Sequence, residues 1–476
     1  MLLGNVFQQA SEAHRRGNLP EAERLYRQLI ALAPQEDAAR VMLAILKQSQ
    51  GLFDEALGLL DGARNKDAGF CARRGNILGA LHRDEEAEAA YRRGLKLDPR
   101  SPDILFNRAL LRFRAARHAE ALADYDAGLA VAPGYADGHN NRGWCLLNLR
   151  RLPEAFAAFE AALAVNPNLA GARLNQGVWH LLQGNFAAGL PLYEFRKRLP
   201  QPVEARVYPQ PLWTGREDIA GRHVFVYVEQ GLGDAIQYVR FIDALLERGA
   251  QVTLAVPRLL LGLLASAQKP VRLIDLNTPP KPFDYHVPLM SLPLALGTRL
   301  ETIPAPGHSL AADPVRVARW KALLGDGFRI GISWQGAAVT GASGKGIPLE
   351  LFEQIADIPG LRLFSLHKAD GQDDLPAWLN LLPGLDADAP FLDSAAVIAS
   401  LDLVISADTV IAHLAGVLGA PLWLALKYVP DWRWQLDRVQ TPWYRQAQLF
   451  RQPSPDDWES VFAAITQAVH EKRMTP

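Results

Sequence analysis

Ala121-Leu-Ala-Asp-Tyr125-Asp-Ala-Gly-Leu-Ala-Val-Ala-Pro133 is answered 34 residues later by Ala155-Phe-Ala-Ala-Phe159-Glu-Ala-Ala-Leu-Ala-Val-Asn-Pro167. In both, an alanine stands twelve residues, and an aromatic eight residues, before a proline. The frame extends outward. Ala87, Tyr91 and Pro99 fill the same slots one period earlier, and Ala22, Tyr26 and Pro34 fill them again near the start. A degenerate unit around Ala56 and Leu60, shortened by three residues, occupies the gap between them. Gly143 and Gly177 are also 34 apart, and a sixth unit fades at Tyr193. Each unit reads as two helices. The alanine lets the paired helices approach, the aromatic fills the groove between neighbours, and proline ends the second helix because it cannot continue one. A single unit cannot bury its apolar face alone, so the five or six units are expected to stack into a superhelix with a concave surface.

A 34-residue period with these slots resembles the tetratricopeptide repeat. Such a superhelix reads either as a spacer or dimerisation arm or as a cradle for a peptide or protein. The arginines Arg73, Arg74, Arg92, Arg93, Arg108, Arg112 and Arg114 read mostly as a solvated face, with an acidic partner as the other reading.

The whole chain of 476 residues is too long for one core. Its 50 basic and 51 acidic residues nearly cancel, which gives no support to binding of nucleic acid or of a membrane surface by charge. No run reaches the ~20 apolar residues of a membrane helix; the longest candidate, residues 259–267, is half that. No basic segment leads into an apolar one at the start, so no signal peptide is expected. With only Cys71 and Cys145, a disulfide framework is excluded and a reducing cytoplasm is expected.

The composition changes near residue 200. Up to Pro200 there are 26 basic and 22 acidic residues, and after it 24 and 29. The first part is rich in the helix formers Ala, Leu and Arg. Prolines 200, 202, 209 and 211 make a linker, and short apolar runs separated by Gly and Pro follow. They predict strands at 223–229, 251–256, 271–276 and 285–288, then at 329–334, 361–367, 403–406 and 421–425, with helical segments between. A final amphipathic helix at about 455–471 is expected to pack back onto a sheet. Two successive strand–helix sets suggest two Rossmann-like, doubly wound domains facing across a cleft. The expected division is 1–199, 200–313 and 314–476.

Two phosphate-binding signatures fail. The turn Gly231-Leu-Gly233-Asp-Ala-Ile236 puts Ile236 where the dinucleotide fingerprint has its third glycine, and no acid follows ~20 residues on. Around Lys345 the earlier glycine slot holds Val339 and the Ser/Thr slot holds Gly346, so a Walker A loop is excluded. What remains is acid chemistry at strand ends. Asp234 follows Gly233 where the chain leaves the first strand; it reads either as a capping residue or as a general base. Asp408, Thr409 and His413 stand at a helix start, where free amides attract phosphate; the other reading is a capping acid and a packed imidazole. The loop 336–346 carries four glycines and Lys345, suited to a diphosphate or else simply a surface loop. Trp334 and His367 end strands on the same edge, placed to hold a base or to pack in the core.

The tracts Glu229-Gln-Gly-Leu-Gly-Asp-Ala-Ile-Gln237, Ser406-Ala-Asp-Thr-Val-Ile-Ala-His-Leu-Ala-Gly416 and Asp431-Trp-Arg-Trp434 together resemble bacterial tetratricopeptide-repeat glycosyltransferases, whose catalytic half is similar to lipopolysaccharide heptosyltransferases. The resemblance implies a GT-B fold and an inverting, metal-independent sugar transfer from a nucleotide-diphosphate sugar to a hydroxyl of a protein or glycan acceptor, with no cofactor. It gives the role of base to Asp234. It gives donor binding to Gly231, Gly233, Asp408, Thr409 and His413, with Lys345 near the diphosphate. Such transferases commonly have Arg-Ser before the Ile-Pro that is Ile347-Pro348 here, where this chain has Lys345-Gly346. They often have Ser-Leu-Gln where this chain has Ser365-Leu366-His367. The triplet Asp386-Ala-Asp388 mimics a metal-binding pair of acids and reads as loop. Two alternatives stand beside the transferase: a non-catalytic scaffold or nucleotide-sugar sensor, and an O-GlcNAc-transferase-like enzyme using a UDP donor.

Overall fold

A computed structural model describes residues 2–200, 206–306, 310–336, 346–367 and 375–474. By internal contact the chain divides into two compact units, with the break after Pro167.

In the first unit, antiparallel helices pair in succession: Leu2–Arg15 with Leu19–Leu32, Asp37–Ser49 with Phe53–Asp61, and Ala68–Ala80 with Asp84–Leu97. Pro102–Arg114 then pairs with His118–Val131, and Ala136–Asn148 with Leu152–Val165. Each pair packs on the next, forming a helical superhelix. The repeated slots behave as their chemistry requires. Ala22, Ala87, Ala121 and Ala155 are fully buried, as are Tyr26, Tyr91, Tyr125 and Phe159. A further small position completes the packing. A Cβ at Gly143 would stand 2.5 Å from the Phe159 ring, and one at Gly75 would stand 2.4 Å from the Tyr91 ring. The helices ending at Leu97, Val131 and Val165 each stop two residues before their proline, because the residue preceding proline disfavours the helical conformation. The shortened repeat yields the short helix Phe53–Asp61.

The arginines on this unit are less solvated than their number suggests. Arg108 and Arg112 are mostly buried and both bind Asp124, which is itself buried. Arg112 and Arg117 also hold Glu88, and these hydrogen bonds bring its pKa down to about 2. Arg74 reaches Asp61. These cations therefore brace neighbouring helices. Cys71 and Cys145 are buried, free thiols.

The second unit opens with a helical pair. The helices Ala170–Leu182 and Phe186–Tyr193 pack together and continue into the 3-10 turn Glu194–Arg198. The sequence places a domain boundary near residue 199, but this pair groups with the α/β region instead. The reason is an aromatic and charged seam. Phe186 lies 5.8 Å from Trp432, and Tyr193 lies 5.6 Å from Trp432. Arg196 enters a buried ion pair with Glu229 and bonds Ser291 Oγ at 2.9 Å.

Two parallel sheets follow. The first contains β1 (His223–Tyr227), β2 (Gln251–Val256), β3 (Val271–Asp275) and β4 (Tyr285–Pro288), in the order β3-β2-β1-β4. The second contains β5 (Phe328–Ser333), β6 (Leu361–Ser365), β7 (Leu379–Asn380), β8 (Leu403–Ser406), β9 (Leu422–Leu426), β10 (Gln440–Thr441) and β11 (Tyr444–Arg451). Its order is β10-β11-β9-β8-β5-β6-β7, all parallel except β10. The apolar runs form the central strands, buried on both faces as parallel strands require. The short β7 and β10, and the half-polar β11, lie outside the expected set. The helical stretch between β1 and β2 is interrupted by a 3-10 turn at Val239–Phe241. The last helix, Trp458–Met474, packs Val461, Phe462, Ile465 and Val469 into the core of the second sheet. No helix among the described residues is long and apolar enough to cross a membrane.

Candidate functional site

Two helix starts meet between the sheets. The helix Leu232–Tyr238 leaves β1 with Gly231 at its N-cap, and Asp234 Oδ2 accepts from the Gly231 amide at 3.0 Å. The helix Val410–Leu418 leaves β8 with Thr409 at its N-cap. The two helices pack closely because Gly233 has no side chain: a Cβ there would stand 2.7 Å from His413 Cδ2. The structure therefore brings Gly231, Gly233, Asp234, Asp408, Thr409 and His413 into one neighbourhood.

The link between Asp234 and the second sheet is Arg433. It sits in the 3-10 turn Trp432–Trp434, and its Nη2 donates to Asp234 Oδ1. Its Nη1 donates to Asp431 Oδ1 at 2.8 Å. Arg433 is buried, with its guanidinium over the rings of Trp432 and Tyr238 at 5.1 and 5.6 Å. Burial opposes its charge, but Asp431 and Asp234 outweigh that and hold its pKa well above the ordinary value.

Asp408 keeps 36 % of its side-chain surface open to water. The protein crowds it on its other sides, and this loss of solvent is the main cause of a pKa lifted to about 7. The Asp431 and Asp234 carboxylates push the same way, against Trp434 and Arg433. His413 Nε2 lies 3.8 Å from Asp408 Oδ1, too long for a hydrogen bond. Its Nδ1 pairs with the Tyr444 hydroxyl at 2.9 Å, and its ring stacks on Trp434 at 5.5 Å. Burial, then Arg433 and Arg240, bring the imidazole pKa down to about 3, so it is neutral at neutral pH. Arg240 is itself buried. It donates to the carbonyls of Gln237, Pro304 and Trp443 and lies over the Tyr444 ring.

Thr409 turns inward. Its buried hydroxyl lies 3.1 Å from Ser406 Oγ and 3.3 Å from Ser333 Oγ, at the ends of adjacent strands β8 and β5. Trp334 and His367 close the ends of β5 and β6, with ring centroids 4.1 Å apart. Burial lowers the His367 pKa to about 4, and its Nε2 is buried without a hydrogen-bond partner among the described residues. Lys345 and most of the glycine loop lie outside the described residues. Asp386 has a structural job: it accepts from the amides of Asp393 and Ser394, while Asp388 pairs with Arg316. Among the described residues no cluster of His, Cys, Asp or Glu is arranged to hold a metal ion.

Sequence reasoning assigns no role to Arg433, Asp431 or Tyr444. The first two had a signal, an arginine between two tryptophans just after an acid. Tyr444 had none, because it begins a strand whose alternating polar residues hide it.

Comparison with known proteins concerns mainly the helical repeats. Three tetratricopeptide-repeat family models match, at residues 13–81, 73–136 and 136–169. Protein FlbA of Caulobacter vibrioides is 25% identical over 292 residues, which are 55% of this chain and 48% of FlbA. The match thus spans about half the length of that relative. The structure of PilW, a type IV pilus biogenesis factor, has 20% identity and a TM-score of 0.38, over 42% of this chain and 92% of PilW. YrrB, a tetratricopeptide-repeat protein with an unusual peptide-binding site, has 18% identity and a TM-score of 0.31, over 35% of this chain and 88% of YrrB. The N-terminal region of this chain is accordingly a run of tetratricopeptide repeats, a scaffold for protein interaction, joined to an α/β region with parallel sheets.

Proposed function

We propose that the α/β region is an inverting, metal-independent glycosyltransferase of GT-B type, and that the repeats present its acceptor. The observation that carries the reading is the meeting of Asp234 and Asp408 at two helix starts, each just beyond the carboxyl end of a parallel strand. That edge is where open parallel sheets bind ligands. The nucleotide-diphosphate sugar lies against the second sheet. Its base is held near Trp334 and His367, and its diphosphate by the amides at the start of Val410–Leu418; the sequence resemblance adds Lys345 to the diphosphate's partners. An acceptor hydroxyl enters from the side of the first sheet and loses its proton to one of the two carboxylates. The sequence resemblance gives that role to Asp234.

The test is a thermal-shift and turnover screen of the full chain against ADP-, UDP- and GDP-sugars. One donor class is expected to raise the unfolding temperature and to release nucleoside diphosphate. A preference for UDP would favour the O-GlcNAc-transferase-like form. A second reading, a sensor that binds without turnover, is favoured by the engagement of both Asp234 oxygens, one by Arg433 and one by Gly231. Binding with no release from any donor would establish that reading in place of the transferase.

A further inference from the structure

The shortened repeat leaves an opening. The second helices Leu19–Leu32, Asp84–Leu97, His118–Val131 and Leu152–Val165 each run for 14 residues, but Phe53–Asp61 has only 9. At 1.5 Å per residue, the difference withdraws about 7.5 Å of helical wall. Beyond Asp61 the chain passes through residues 62–67 outside any helix or strand. A groove of about 410 Å³ remains there. Buried Phe70 and Cys71, from the helix Ala68–Ala80, form its floor. Glu86, Ala89 and Arg93 line one side, at a spacing that puts them on one face of the helix Asp84–Leu97.

The charge around this groove is unbalanced. Asp61 holds Arg74 at 3.2 Å, and Glu86 is held by Arg83 at 2.7 Å, so both acids of the groove already have a cation. Lys66 and Arg93 are exposed, and among the described residues no carboxylate lies within ion-pair distance of either. Lys66 Nζ instead lies 6.0 Å from the centre of the Phe70 ring. We infer that this groove docks an acidic peptide segment, with a carboxylate side chain taken by Lys66 and Arg93 and a small apolar neighbour laid against Phe70 and Ala89. Charge complementarity names the occupant, since two cations without acids stand over an apolar floor. The acids Asp61 and Glu86 on the same rim disfavour a polyphosphate or a nucleic acid, whose negative charge repeats along its length. Exposed ion pairs are individually weak, and a contact this small is a transient one, so the cations and the apolar floor must act together. The groove belongs to one irregular repeat, not to the pattern the repeats share, and it depends on no chemistry in the α/β region.

The experiment measures the fluorescence anisotropy of short, capped, dye-labelled peptides mixed with the full chain. One pool has Asp or Glu at its centre and Ala, Val or Leu around it. A second pool has Asn or Gln at the centre, and a third has Lys. The acidic pool should bind best, and added salt should weaken it. Arg93→Glu should weaken that binding about tenfold or more, because a like charge then meets the carboxylate. Ala89→Trp, at an exposed position of the same wall, should fill the groove and weaken binding to a similar degree. Arg92→Glu makes the same change of net charge at an exposed neighbour outside the groove, and should bind as wild type does. Circular dichroism of each variant checks that the helices are intact. The inference is overturned if no pool binds, or if the amide pool binds as well as the acidic one. It is equally overturned if Arg93→Glu or Ala89→Trp keeps full binding, if Arg92→Glu loses as much as Arg93→Glu, or if inorganic polyphosphate binds more tightly than every peptide.

Discussion

At position 233 a side chain has no room. A Cβ there falls 2.7 Å from His413, so Gly233→Ala must push two helix starts apart. Overpacking of this kind costs about 1–3 kcal/mol, more than the ~0.5–1 kcal/mol an alanine returns to a helix. We expect a lower unfolding temperature and a smaller donor-induced thermal shift. His413 predicts a pH effect. Its pKa of about 3 lies below that of the unfolded chain. Its contribution is therefore present above about pH 6.5 and lost as pH falls toward 3. Denaturation of His413→Asn from pH 3 to 7 should show a weaker acid loss than wild type; an equal loss would refute the assignment. The sequence made Asp234, Asp408 and His413 legible because acids and imidazoles beyond apolar strands stand out. Arg433 stayed hidden because its partner lies some 200 residues away, and only the packing of the two sheets joins them.

Among the elements, the helical repeats were the most readable. Their packing rests on small and aromatic residues at a fixed period. Gly143 extends that logic: a Cβ there meets the Phe159 ring at 2.5 Å and the Ala155 carbonyl at 3.1 Å. Gly143→Ala should destabilise the repeat region by about 1–3 kcal/mol, read by chemical denaturation. Ion pairing between helices was less readable, since a run of arginines looks the same whether solvated or paired. Asp124 receives Arg108 and Arg112 together. Asp124→Asn should therefore cost about 2–3 kcal/mol, checked by the same method. Strands were legible where both faces are buried. β11 mixes exposed and buried positions along Tyr444–Arg451, and such a pattern lacks the apolar run that marked β8 and β9.

On the scale of the whole molecule, the change of composition near residue 200 is real, but the compact α/β unit begins earlier, at Asn168. Helix-forming sequence cannot reveal which neighbour a helix will choose. Here the choice is made by Phe186 and Tyr193 against Trp432, and by Arg196 against Glu229. A fragment of residues 168–476 should fold. One of residues 200–476 lacks the arginine that pairs with Glu229, and loss of one partner of a buried ion pair costs about 3–5 kcal/mol. Thermal unfolding of the two fragments should differ accordingly, the shorter being less stable or aggregating.

The stacking of His413 on Trp434 carries an optical consequence. A protonated imidazole quenches indole emission far more than a neutral one, so the intrinsic fluorescence of Trp434 should hold through mildly acidic pH, where the imidazole stays neutral, and dim only in strong acid. Trp434 also lies beside the Tyr444 ring, so this pair of helix starts has a built-in reporter, readable without any added dye.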